Sequence, residues 1–365
     1  MHFLHVVGAR PNFMKAAPVL RAIQSRPYAR QSLIHTGQHY DANMSDVFFR
    51  QLRIPVPDVN LGIGSGSHAK QTADIMIGLE EVIIDRKPDV VLVYGDVNST
   101  AAAALVCAKL NIKVAHVEAG LRSMDRTMPE EINRIVTDHL ADILFTPSVD
   151  GDQNLAKEGV ESNKVHRVGN VMIDSLVELL PAARAIPRNG LPGRYALVTL
   201  HRPSNVDDTS RLCEIIQTLA DVSSDLPVVF PVHPRTRQKL ASIDANLSLL
   251  QILDPLPYIE FVALEERAAV VITDSGGIQE ETTYLGVPCL TMRENTERPI
   301  TVDLGTNTLV GTDGTALRRE VDRILAGHGK KGKIPPLWDG HTGERIAECL
   351  CGPSIAGPYR QERHP

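Results

Sequence analysis

At 365 residues the chain is long enough for two medium domains rather than one. It is 43% hydrophobic and 22% charged, and 38 Lys and Arg against 44 Asp and Glu leave a net charge of −6. That balance offers no basic face for nucleic acid or an anionic membrane surface, so any cation cluster must be local. No apolar run is long enough to span a bilayer. The start, MHFLHVVGARPNF, lacks the cationic opening and long apolar core of a signal peptide. The cysteines, Cys107, Cys213, Cys289, Cys349 and Cys351, are odd in number and show no metal-ligand spacing. A reducing cytoplasm is the expected setting.

Phe3–Val7 reads as a strand, and Gly8 to Pro11 as a tight turn into a helix. A turn that presents backbone N–H groups, flanked by Arg10 and Lys15, suits an anion such as a diphosphate. The plainer role for either cation alone is a capped carbonyl or a solvated side chain. Ser32–His35 is a second strand, followed by Gly37, Gln38 and His39, polar groups suited to a sugar. Gly62–Gly66 reads as a mobile glycine-rich loop before a helix over about 68–85, with no clear strand ahead of it.

The centre of the pattern is residues 90–134. Val90–Tyr94 is an apolar run fit for a strand buried on both faces, and it ends at Gly95-Asp96. Asn98, Ser99 and Thr100 open an Ala-rich helix. Val114–Val117, containing His116, ends at Glu118, and Pro129 leads into a helix opening with Glu130 and Glu131. Asp96 and Glu118 thus fall at strand ends and Glu130 at a helix start, places that share one crevice in an open α/β sheet. Carboxylates gathered there can separate their pKa values, one serving as base while another holds a proton. Any one of them is more often a helix cap or loop charge. Three together, beside Arg122, Arg126 and Arg134, favour a site.

Ile143–Phe145 and Val165–Val168 continue the strands, and a long helix runs through Leu180. Pro181–Arg194, without periodicity, reads as an interdomain linker. The strand–helix alternation then restarts. Tyr195–Leu200 ends at His201, which could act as an acid or base, clamp phosphate, or cap a loop carbonyl. Val228–Val232 ends at His233, Ile252–Pro257 reads as loop, and Phe261 sits in the helix after it. After Val270–Thr273 come Asp274, Ser275, Gly276 and Gly277, then a helix with Glu280 and Glu281. Small residues there let N–H groups approach a phosphate, and Glu281 could accept both ribose hydroxyls. The Lys-Ser/Thr end of a Walker loop is absent. Val287–Thr291 is the next strand, and Arg298 in the charged loop after it is a phosphate candidate. A last helix spans about 343–350.

GARPNFMK, GDVNST, HVEAGLRS, PEEINR, LHRPSNVDD and DSGGIQEE, in that order, resemble the non-hydrolysing UDP-N-acetylglucosamine 2-epimerases. The resemblance implies an α/β fold of two Rossmann-like domains, the GT-B architecture, with an interdomain cleft. The expected domains are 1–180 with the acid–base residues, 181–340 for UDP, and a terminal segment 341–365 packing back on the first. It implies inversion at C-2 of UDP-N-acetylglucosamine by elimination of UDP to a bound glycal and re-addition. Asp96, Glu118 and Glu130 would supply acid–base function, with the base on each face left open. His201 would assist at phosphate or as an acid. Arg10, Lys15, Ser275, Gly276 and Gly277 would hold diphosphate, Glu281 ribose, and Leu256 with Phe261 uracil. Gln38, His39, His233 and Arg298 complete the substrate contacts. No cofactor or metal is implied, because UDP itself leaves and returns. The partner is a UDP-sugar, in a homodimer. A modified sugar such as a diacetamido uronic acid derivative, a GT-B glycosyltransferase and a nucleotide-sugar sensor are the alternatives. Some bacterial members take a second UDP-sugar as effector, and Gln38 and His39 fit that pattern. Asp74, where an Arg aligns, would repel its diphosphate, so weak or absent activation is expected.

Overall fold

The structure, a computed structural model, describes residues 1–38, 51–187, 190–232, 234–241, 243 and 246–352. Met1–Ser175 and the chain from Pro336 onward form one compact unit, and Leu176–Pro335 a second.

Among its described residues, the first unit holds strands β1 His2–Val7, β2 Arg30–His35, β3 Val59–Asn60, β4 Val90–Tyr94, β5 Lys113–Val117, β6 Ile143–Thr146 and β7 Val165–Arg167. They form one parallel sheet in the order β3-β2-β1-β4-β5-β6-β7. The apolar run of β4 is buried along its whole length, as a strand covered on both faces must be. In its register with β5, Val93 lies opposite His116 and Tyr94 opposite Val117. The residues that follow, Asp96 and Glu118, therefore emerge at the same edge of the sheet.

The second unit repeats the plan with β8 Ala196–Thr199, β9 Val228–Pro231, β10 Leu250–Leu253, β11 Val270–Thr273, β12 Cys289–Thr291 and β13 Asn307–Leu309. Their order is β10-β9-β8-β11-β12-β13, again all parallel. In both sheets the order reverses beside the first strand of the unit. Such a reversal opens a crevice outside the strand ends.

Three strands depart from the sequence expectation, and all are edges. β3 precedes the glycine-rich loop where no strand is legible, and β10 takes Ile252 and Leu253 from a stretch that reads as loop. β13 follows the charged loop. An edge strand is covered on fewer sides, so it lacks the continuous apolar run that marks a central one. The helix expected to stop at Leu180 continues through Pro181 to Arg184, because Ala182, Ala183 and Arg184 are good helix formers.

The chain returns to the first unit through Trp338, whose buried indole Nε1 donates to the Pro147 carbonyl at 3.0 Å. The helix Thr342–Cys351 then buries Ile346, Ala347 and Leu350 and packs on the helix Arg10–Gln24. The Gly343 N–H donates to Asp174 Oδ2 at 2.7 Å. Among the described residues no helix is long and apolar enough to cross a membrane. Truncating Trp338 to Ala leaves a cavity and an unpaired carbonyl. The first unit should lose roughly 3–5 kcal/mol of stability, read from its urea transition. An unshifted midpoint would mean the returning segment does not hold that unit together.

Candidate active site

In the first unit, the turn after β1 is closed by Asn12. Its Oδ1 accepts from the Gly8 and Ala9 N–H groups at 3.0 and 3.1 Å, and its Nδ2 donates to the Tyr94 carbonyl at 2.7 Å. The expectation that this turn offers those N–H groups to an anion is corrected, since a local side chain already accepts from both. Lys15, likewise expected at diphosphate, is buried with its Nζ 2.7 Å from Glu118 Oε1. Arg10 is half-buried at the helix start.

Asp96 is partly exposed, and its Oδ2 accepts from Arg134 Nη2 at 2.6 Å and Nε at 3.0 Å. Arg134 Nη1 meanwhile donates to Glu131 Oε2 at 2.6 Å. Glu131 is buried and takes hydrogen bonds from Ser123 N, Ser123 Oγ and Met124 N. Its neighbour Glu130 is exposed in the first turn of the helix Pro129–Leu140, where the helix dipole favours a carboxylate. The two adjacent glutamates thus divide into an anchor and an exposed acid. Glu118 has a left-handed backbone, φ +76°, uncommon for a residue with a side chain.

Gln38 is buried, with Oε1 accepting from Ser99 Oγ at 2.7 Å and Ser99 N at 3.0 Å. Asp74 lies on an exposed helix face beside Lys70 at 2.9 Å. His39 and His233 lie outside the described residues.

In the second unit, β8 and β11 are neighbours, so His201 and Asp274 adjoin. Asp274 is buried and accepts from Arg202 N at 2.9 Å, Asn205 Nδ2 at 3.0 Å and His201 N at 3.1 Å. His201 Nδ1 lies 3.0 Å from its Oδ1. Burial alone would raise this carboxyl; the His201 contact first, then Arg202 and Asn205, outweigh it and hold the pKa below the ordinary value. Sequence reading found the histidine and missed the aspartate that fixes it. The signal available was Asp274 ending a buried strand.

Ser275 precedes the helix Gly276–Leu285. A Cβ on Gly276 would stand 2.5 Å from Arg298 Nη1 and 2.6 Å from Glu297 Oε1. Arg298 therefore reaches this turn, but it arrives paired, with Nε 2.9 Å from Glu280 and Nη1 2.5 Å from Glu297. Leu256 and Phe261 pack against the apolar cluster of Tyr195, Leu197, Leu264 and Val271. Glu281 is buried, and Tyr258 Oη donates to its Oε1 at 2.6 Å. Glu265, fully buried, is its other acidic neighbour, and desolvation raises the pKa of both carboxyls. Among the described residues no cluster of His, Cys, Asp and Glu is arranged to hold a metal ion, and all five cysteines are free thiols.

Two α/β units with like-ordered parallel sheets place the protein in the GT-B class of folds. A family model described as UDP-N-acetylglucosamine 2-epimerase matches residues 21–351. A relative of that name from Methanocaldococcus jannaschii is 43% identical, with 94% of this chain and 97% of the relative covered. The Escherichia coli K12 relative of the same name is 36% identical over 96% of this chain and 98% of its own. A UDP-2,3-diacetamido-2,3-dideoxy-D-glucuronate 2-epimerase from Pseudomonas aeruginosa is 46% identical over 85% of this chain and 88% of its own. The crystal structure of the M. jannaschii UDP-GlcNAc 2-epimerase with UDP-GlcNAc and UDP superposes with a TM-score of 0.89, at 42% identity, covering 96% of this chain and 99% of the other. The chain belongs to the UDP-N-acetylglucosamine 2-epimerase family. It is an epimerase, hence an isomerase.

The buried Glu265–Glu281 pair sets a pH signature. A carboxyl whose folded pKa is raised keeps its proton where the unfolded chain has lost it, so the folded state binds more protons and stability falls as pH rises above the ordinary 4.5. Glu265→Gln removes part of that slope. The variant should gain stability relative to wild type as pH rises from 4.5 towards 8. A parallel pair of stability curves in urea titrations would refute the buried carboxyl pair.

Proposed function

We propose that this chain interconverts UDP-N-acetylglucosamine and UDP-N-acetylmannosamine. The observation that carries the proposal is the family match across nearly the whole chain, joined to Asp96 and Glu118 following the neighbouring strands β4 and β5, with Glu130 opening the helix Pro129–Leu140. The C-2 hydrogen is not acidic, since no carbonyl lies beside it. Inversion therefore proceeds by elimination: the C-2 proton goes to a carboxylate, the C-1 to oxygen bond breaks, and UDP departs from an enzyme-bound glycal. UDP then adds back at C-1 while C-2 receives a proton on the opposite face. The reaction needs a base, a proton donor and support for the departing diphosphate, and it consumes no cofactor.

Asp96, Glu118 and Glu130 share the proton transfers. Lys15 orients Glu118, and Arg134 orients Asp96. Ser275, Gly276 and Gly277 receive the diphosphate at a helix N-terminus, with Arg298 behind the turn and His201, steadied by Asp274, beside it. Arg10 adds a cation in the first unit. Glu281 takes the ribose hydroxyls by exchanging its Tyr258 contact, and Leu256 with Phe261 flanks uracil.

The P. aeruginosa relative favours a second reading, the same inversion on a diacetamido uronate. Turnover of each UDP-sugar by the purified protein, followed by proton exchange at C-2 in heavy water, decides between them. Exchange with neither sugar would sink both. Asp96→Asn, Glu118→Gln and Glu130→Gln should each lower turnover by about 10²- to 10⁴-fold. Glu130→Gln is the cleanest of the three, because its exposed side chain leaves no buried cation behind. Glu118→Gln leaves Lys15 buried without its counter-charge and needs a check on folding. Near-wild-type rates in all three would remove the carboxylates from the chemistry.

A second UDP-sugar should activate weakly or not at all. Gln38 is turned inward to Ser99, and Asp74 places an acid on the helix face, offset in part by Lys70. The reverse reaction, started with UDP-N-acetylmannosamine alone, should run without a lag. Silence broken by a trace of UDP-N-acetylglucosamine would show an effector site.

A further inference from the structure

Between the turns that carry Asp96 and Glu118 lies a charged group with no place yet in the reaction. His116, on β5, is fully buried. Its Nε2 is 2.8 Å from the Gly95 carbonyl oxygen, and its Nδ1 is 2.6 Å from Asp138 Oδ1. A carbonyl oxygen only accepts, so Nε2 carries a hydrogen. Asp138 Oδ2 meanwhile accepts from the Gly120 N–H at 3.1 Å and from Arg122 Nη1 at 2.7 Å. Arg122 completes the set through Glu158, with Nε and Nη2 each 2.8 Å from its two oxygens. Arg122 thus bridges the buried Asp138 and the partly exposed Glu158.

The atoms this group holds are the informative part. Gly95 immediately precedes Asp96, and Gly120 stands two residues after Glu118. The Gly95 N–H also donates to the Val117 carbonyl at 2.9 Å. Gly95 itself has φ +62°, and a Cβ there would stand 2.5 Å from Lys15 Nζ, the partner of Glu118. One buried histidine–carboxylate pair is therefore bonded to the backbone of both turns.

We propose that His116 and Asp138 are positioning residues that fix the spacing between Asp96 and Glu118, and so act on proton transfer rather than on nucleotide binding. The proposal rests on the acid–base roles given above. It requires that loosening the pair misplaces two carboxylates while the second unit keeps its hold on UDP.

His116→Leu removes both bonds. Turnover should fall about 10- to 100-fold, the effect of moving a reacting group by a fraction of an ångström. The UDP dissociation constant and the KM should stay within about threefold. His116→Gln keeps an N–H donor able to reach the Gly95 carbonyl and should recover a clear part of that loss. Asp138→Asn provides a third variant should His116→Leu not fold. Independently, nitrogen-15 NMR of the wild-type protein, with His116 assigned by its disappearance in His116→Gln, should show hydrogen on Nε2. An Nε2 without hydrogen overturns the clamp. So does turnover within threefold of wild type in folded His116→Leu and Asp138→Asn, or a loss of UDP affinity matching the loss of rate. Should the wild-type protein turn over neither UDP-sugar, the functional reading fails, and the NMR result and UDP affinity still decide on the clamp.

Discussion

A charge taken out of water must be met by an opposite charge and by hydrogen bonds, or the fold rejects it. Much of this molecule follows from that rule. Glu118 is buried against Lys15, Glu131 against Arg134, and Asp138 between His116 and Arg122. In the second unit Asp274 is enclosed by backbone N–H groups, Asn205 and His201, and Glu297 by Arg293 and Arg298. Glu118 and Asp274 directly follow parallel strands, where chain and charge converge. A core of aliphatic side chains would hold the sheets as well; it would not hold carboxylates in fixed places.

The exception is instructive. Glu265 and Glu281 face one another with Tyr258 as the neighbouring hydroxyl. Two like carboxyls in one buried space cannot both ionise cheaply, so the pair keeps a proton. The second unit thereby stores a mismatch at the place assigned to ribose. Hydroxyl groups bound there would add donors to those that Tyr258 and Glu265 already give Glu281.

The sequence made the central strands plain, because β4 and β11 are buried along their whole length and β5 along all but its exposed Lys113, each around a run of apolar residues. β3, β10 and β13 were opaque for the opposite reason: an edge strand is only partly covered, and β10 mixes Gln251 with leucines. Within the site, residues placed by chain geometry were legible. Asp96 and Glu118 follow strands, and Gly276 opens a helix. Partners drawn from distant sequence were not. Nothing in the spacing joins Lys15 to Glu118 or Asn12 to the Tyr94 carbonyl. Nor does the pattern distinguish Glu130 from Glu131, although one is exposed and the other packed under Ser123. Side-chain direction within a helical turn decides that, and adjacent residues point about 100° apart.

The return of the chain at Pro336 has a consequence for how the protein is made. The helix Arg10–Gln24 is synthesised roughly 300 residues before Thr342–Cys351, which covers it. Domains tend to fold in the order of synthesis. Here the earlier unit lacks its last helix while the later one is completed, and the surface of Arg10–Gln24 on which that helix packs waits for the whole of that interval. At about 5–20 residues per second, the roughly 300 residues between them take on the order of 15–60 seconds to appear. The nascent chain is therefore exposed to self-association, or dependent on a chaperone, for a time set by translation rather than by folding.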